Sequence, residues 1–121
     1  DKTSEFTTLN IDGNTVYIGK NNTQNDIITF KLSDKNDIWF HVQGFHGSHV
    51  LLKTNEKEIN DNNSIILKCA KLAVLHSKAS NENKAPVDYT VIKNIKKPKG
   101  SKPGFVVFNN YKTIIVKNNA K

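Results

Sequence analysis

Arginine is missing from this chain: all 18 basic residues are lysines. Recognition by bidentate guanidinium forks is therefore excluded, and any phosphate contact falls to flexible ammonium groups. Methionine is missing too, initiator included, so the chain is expected to be an excised piece of a longer multidomain protein. One cysteine, Cys69, excludes an internal disulfide framework and fits a reducing compartment. No apolar run approaches the ~20 residues of a membrane-spanning helix, so no membrane partner is expected. Internal repeats and low-complexity tracts are absent.

What remains is a basic chain long enough to form one domain, expected over residues 1–121, with a core that needs no metal or disulfide. The net charge of +7 suits a nucleic acid or another anionic surface. It also suits a merely solvated lysine surface, and charge does not choose between them.

The stretch Asp37–Leu52 carries the single tryptophan and three of the four histidines. It reads as two strands joined by a polar corner. Ile38, Phe40 and Val42 alternate with Trp39, His41 and Gln43, and Val50-Leu51-Leu52 is a short apolar run. Gly44 and Gly47 are the expected turn residues. With the even positions toward the core, Trp39, His41 and Gln43 share a wet face fit for contact. Asp12-Gly13 between alternating runs predicts a hairpin. Asn22 or Thr23 is positioned to cap a short helix carrying Ile27, Ile28 and Leu32. Ser64–Ala79 is the clearest helix, with a wide apolar face from Ile65 to Leu75 and His76 near its negative pole. Pro86–Ile92 reads as a strand, and Phe105–Phe108 with Tyr111–Lys117 as a closing hairpin. The sum is an α+β domain: a mostly antiparallel sheet packed by one main helix, with a possible second short one.

Three places suit chemistry. Lys93, Lys96, Lys97, Lys99 and Lys102 crowd a loop punctuated by Pro98, Gly100, Pro103 and Gly104. Prolines fix its path and glycines let amides approach a phosphate; the bland alternative is a solvated lysine loop. Asn21, Asn22, Gln24 and Asn25 form an amide-rich stretch able to donate to and accept from bases, or simply to cap and turn. His41, His46 and His49 have no strong metal spacing and no supporting second cysteine, so no metal or other cofactor is expected. Trp39 and Tyr111 are stacking platforms or core residues.

Five blocks then occur in order: Asn21-Asn-Thr-Gln-Asn-Asp26, Asp37-Ile-Trp-Phe-His41, Gly47-Ser-His-Val50, Pro86-Val-Asp-Tyr-Thr90 and Lys96-Lys-Pro-Lys-Gly-Ser-Lys-Pro-Gly-Phe-Val106. Together they resemble the NFACT-R domain, the C-terminal RNA-binding domain of the RqcH/NEMF family of ribosome-associated quality-control factors. Bacterial members have also been labelled fibronectin-binding proteins. The resemblance runs from about Leu9 to Val116. At Lys20 the family often has arginine, which weakens a bidentate phosphate contact there.

The resemblance implies a cytoplasmic, ribosome-associated protein with an NFACT-N domain, a helix-hairpin-helix region and a coiled coil preceding this domain. It implies binding to large ribosomal subunits obstructed by peptidyl-tRNA, recruitment of tRNA, and template-free alanine tailing of stalled chains. The R domain is the RNA-binding part and not an enzyme. Joined to the residues, this predicts one surface of Lys20, Asn21, Asn22, Gln24, Asn25, Trp39, His41, Ser48 and His49. Lys96, Lys97, Lys99 and Lys102 stand at its rim. Its partners are tRNA, ribosomal RNA and the protein's own N-terminal domains. Asp26, Asp37 and Asp88 are expected to orient loops and lysines, since phosphate repels them. Two alternatives stand beside it: a small nuclease or phosphate-ester hydrolase built on His41, His49 and Asp88, and a surface adhesin.

Overall fold

Asp12 and Gly13 both take positive φ, 52° and 88°, and close a two-residue turn between β1 (Thr7–Ile11) and β2 (Asn14–Ile18). That twist matches the strands it joins. The computed structural model describes residues 6–117, so the expected domain span of 1–121 reaches past the described residues at both ends. After β2 come α1 (Asn22–Phe30), β3 (Ile38–Val42), β4 (Val50–Leu52) and α2 (Ser64–Leu75). Next are β5 (Lys84–Val91), a short 3-10 turn, β6 (Ile95–Lys96), β7 (Val107–Phe108) and β8 (Lys112–Lys117).

Six strands form one antiparallel sheet in the order β1-β2-β4-β3-β5-β8. This is the α+β architecture expected. On one face lies α2, whose Ile65, Ile66, Cys69, Ala70 and Ala73 meet Phe40, Val42, Val50 and Val87. Burying Phe40 fully contributes roughly 1.5–3 kcal/mol. The α2 N-cap is Asn63, whose side chain accepts the Ile65 N–H. The helix stops at His76, short of Ala79, because the chain turns into a bridge with the β3–β4 corner. There Gly47 pairs with Ser77, and the Ser48 N–H donates to the His76 carbonyl at 3.0 Å.

The opposite face is covered in two pieces. Packed over β2 and β4 is α1, and the β6–β7 hairpin lies over β3 beside it, so Ile28, Leu51, Trp39 and Ile95 are buried outside the main core. The cap of α1 is Asn21, one residue before the expected positions, with its Oδ1 accepting the Gln24 N–H at 2.9 Å.

Three further expectations are corrected. The C-terminal strands do not form one hairpin. Val107 pairs with Lys96 in β6, while β8 pairs with β5 over six residues. Asn110, at φ 49°, makes the change of direction. The longer pairing satisfies β5's open edge and leaves Phe108 free to cap Trp39, with ring centroids 4.9 Å apart. The supposed wet face is therefore partly roofed, and Trp39 is buried. Gly44 does take positive φ, 79°, but Gly47 does not. Gly47 is required instead by contact, since a Cβ there would sit 2.6 Å from the Ser77 Cβ.

Candidate nucleic-acid interface

The basic loop is a folded hairpin rather than a tail, and one of its lysines is spent on holding it. Lys97 turns inward. Its ammonium donates to the carbonyls of Lys102 and Phe105 and lies 3.3 Å from Asp26 of α1. The other oxygen of Asp26 accepts the Gly104 N–H at 2.9 Å. Gly104 has φ 86° and its Cα lies against the Asn22 side chain. Asp26 therefore orients a loop and a lysine. Lys96, Lys99 and Lys102 remain exposed, and none is in an ion pair among the described residues. Exposed Phe105, Val107 and Tyr111 stand among them. Lysines interleaved with aromatic rings suit a polyanion with stackable bases.

Beneath the hairpin lies a packed cluster. The Trp39 ring sits 5.9 Å from His41 and 5.2 Å from His49, centroid to centroid. His49 is buried, with Nδ1 2.8 Å from the Thr29 hydroxyl, and its backbone N–H donates to Asn25 Oδ1 at 3.0 Å. Burial, with His41 close by, lowers the His49 pKa to about 3. Burial also lowers that of half-buried His41, partly offset by the Gly47 backbone and Asp88. Cys69, inside the α2 core, is pushed up to about 12 by its burial.

The predicted surface is thus divided. Lys20, Asn21, Asn22 and Ser48 come together around a cleft of about 310 Å3 between the start of α1 and the end of α2. Gln24, Asn25, Trp39 and His49 are buried, so their side chains do not lie on an open surface. Gln24 Oε1 accepts the Lys20 N–H, and Asn25 ties α1 to His49, the residue just before β4. A polar residue on a helix facing a sheet is buried once its partners lie within reach, and those partners are distant in sequence. Asp37 holds the Lys53 ammonium at 2.5 Å and accepts the Thr54 N–H. Asp88 accepts from the Thr113 hydroxyl and from the Gln43 amide at the start of the β3–β4 corner, so it steadies that corner but holds no lysine.

The sequence reading missed Phe105 and Val107 on the hairpin, and His76 and Lys78 in the cleft. An aromatic flanked by Pro-Gly and lysines was the available sign for Phe105; His76 and Lys78 join the site only through the Gly47–Ser77 bridge. Among the described residues, no group of three His, Cys, Asp or Glu side chains converges as a metal site. No helix there is long and apolar enough to cross a membrane.

A basic α+β domain with an anchored lysine-aromatic hairpin is the kind of module that reads a polyanion. Comparison with known proteins gives the family. The chain matches the NFACT protein RNA binding domain over residues 2–110, and it belongs to that family. It is 39% identical over 104 residues to the Rqc2 homolog RqcH of Bacillus subtilis, covering 86% of this chain and 18% of that protein. Coiled-coil domain-containing protein 25 of Bos taurus is 28% identical over 109 residues, with 88% of this chain and 52% of that protein covered. The solved C-terminal part of the fibronectin/fibrinogen-binding protein from Streptococcus suis superposes with a TM-score of 0.81 at 40% identity. That match covers 91% of this chain and 43% of the solved one. The chain spans about a fifth of the RqcH relatives it matches.

Proposed function

We propose that this domain binds the backbone and unpaired bases of tRNA or ribosomal RNA. In the whole protein it would help hold the factor on an obstructed large ribosomal subunit, in the cytoplasm, during template-free alanine tailing. Membership of an RNA-binding family and likeness to RqcH proteins support the ribosomal setting. The observation that carries the reading is the hairpin, where Lys96, Lys99 and Lys102 are free while Lys97 and Asp26 fix the loop that presents them. Lysines hold phosphates, and Phe105 and Tyr111 offer flat faces to bases.

The test is a salt-series titration against tRNA and a DNA duplex of equal length. With about four phosphates neutralised, log K falls against log salt with a slope of roughly −3 to −4. The triple variant K96A/K99A/K102A should lower affinity for every RNA alike and flatten the slope by roughly 2. No binding at low salt, or a slope near zero, removes the reading. We infer a binding module rather than a hydrolase, because His49 of the alternative's His41–His49–Asp88 set is buried and hydrogen-bonded to Thr29, out of reach of a phosphate ester. Intact labelled tRNA after incubation supports this; cleavage overturns it.

A further inference from the structure

We propose that the cleft between the start of α1 and the end of α2 is a discrete site for one nucleotide phosphate, separate from the hairpin. The inference deepens the RNA reading and rests on it for the natural ligand. The phosphate site itself is measured independently.

Charge is the first argument. Lys20 and Lys78 line the cleft with His46 and His76, and no carboxylate lines it among the described residues. Four other lysines, Lys53, Lys68, Lys97 and Lys112, are paired with aspartates; Lys20 and Lys78 are in no ion pair among the described residues. Two unneutralised ammonium groups facing one concavity favour an anion.

Rigidity is the second. A Cβ on Gly19 would lie 2.1 Å from Asn25 Oδ1, and one on Gly47 would lie 2.6 Å from Ser77 Cβ. Both walls are therefore backbone pressed against side chain. Cross-links fix them: the Gly19 N–H donates to the His49 carbonyl at 3.1 Å and the Lys78 N–H to the His46 carbonyl at 2.9 Å. A concavity held this way loses little entropy on binding.

Size and lining are the third. The volume, about 310 Å3, stands at the small end of ligand sites, which begin at roughly 300 Å3. The Ser48 hydroxyl can donate to a phosphate oxygen, whereas the single Ser77 hydroxyl proton goes to the Val74 carbonyl and Ser77 serves as wall. Leu75, 64% exposed, offers an apolar lip to a sugar or base. The start of α1 adds its first-turn amides to this charge, as an accessory.

The experiment titrates adenosine 5′-monophosphate into the isotope-labelled chain and tracks amide chemical shifts, with adenosine as the uncharged control. Saturable shifts are expected at Gly19–Asn22, Ser48 and Ser77, and none with adenosine. K20A/K78A should weaken the nucleotide by about tenfold or more, whereas K96A/K99A/K102A should leave its Kd within about twofold. These lysines are all exposed, and an unchanged thermal midpoint verifies folding. Shifts that never saturate and spread over every lysine loop overturn the site. So does equal loss in the two variants, or no loss in K20A/K78A. If RNA still binds in any of these cases, the RNA reading survives and the cleft site alone falls. A short RNA with a 5′-phosphate, compared with its 5′-hydroxyl form, then assigns the source. Preference for the first identifies a terminal monoester, and equal, K20A/K78A-sensitive affinity an internal diester.

Discussion

Phe40 and Trp39 are neighbours on β3 and both are buried, yet they belong to cores of different kinds. Phe40 points toward α2, where the neighbours are mostly aliphatic, apart from the Tyr89 ring stacked 5.6 Å from it, and Cys69 and Tyr89 are the ionisable groups of that buried cluster. Trp39 points toward α1 and the hairpin, among His41, His49, Phe108 and the amides of α1. Its indole Nε1 is buried with no hydrogen-bond partner among the described residues. The α2 face holds the fold together. The other face stores polar side chains in a network that fixes α1 and the hairpin, the surface proposed above to meet RNA.

The sharpest way to break this comparison is to truncate each residue in turn. Phe40→Ala leaves a cavity in the close-packed face and should cost about 3–5 kcal/mol, seen as a fall in urea midpoint. Trp39→Phe should cost only about 1–2 kcal/mol, because the lost N–H makes no hydrogen bond. A reversed order would mean that the Trp39 face is the main core.

Acid separates the faces next. The folded-state pKa of His49 is lowered from 6.5 to about 3, so below pH 6.5 the unfolded chain binds a proton that the folded chain refuses. Stability is then full above 6.5 and is lost as pH falls toward 3, by at most about 1.4 kcal/mol per pH unit. His41, shifted the same way, adds to the slope. Urea unfolding at neutral and mildly acidic pH measures it. His49→Asn should flatten the dependence, and a wild-type stability that does not change with pH contradicts a buried neutral imidazole.

The sequence made one of these faces far more readable than the other. Alternation in Ile38–Val42 and the helical period of Ile65–Val74 report burial against a partner that any sheet or helix supplies, so β3 and α2 could be read locally. The Asp12-Gly13 turn was legible for the same reason: the two residues carry their own geometry. Trp39 was misplaced because its cover, Phe108, comes from a two-residue strand far along the chain, too short to leave a period. Gln24 and Asn25 look like free surface amides until His49 and Lys20 arrive as partners. Of the site, Lys96, Lys99 and Lys102 could be read from composition. The inward turn of Lys97 could not, because it depends on Asp26 in another element.

Gly104 tests how tightly the hairpin belongs to this second face. Its φ of 86° disfavours any Cβ, and a Cβ would meet the Asn22 side chain at 2.7 Å. Gly104→Ala should cost about 1–3 kcal/mol locally and weaken the Asp26 contact. Hydrogen exchange should quicken in Ile95–Phe108 while α2 amides keep their protection. Uniform acceleration would show that the two faces unfold as one unit.

The smallest effect compares the two helix caps. Asn21 and Asn63 each accept one first-turn N–H, so replacing either by alanine should cost about 1 kcal/mol. The two losses differ in their consequences. Asn63→Ala frays a helix that carries the main core, so its cost should appear in global unfolding and leave RNA affinity unchanged. Asn21→Ala loosens the start of α1, beside Lys20 and the hairpin anchor Asp26. Its stability cost should be no larger, but RNA binding should weaken by about twofold to fivefold as those lysines lose their fixed positions. Matched stability losses with affinity changed only in the Asn21 variant would assign binding to the polar face. Equal affinity in both variants would mean that α1 supports the sheet without presenting the lysines.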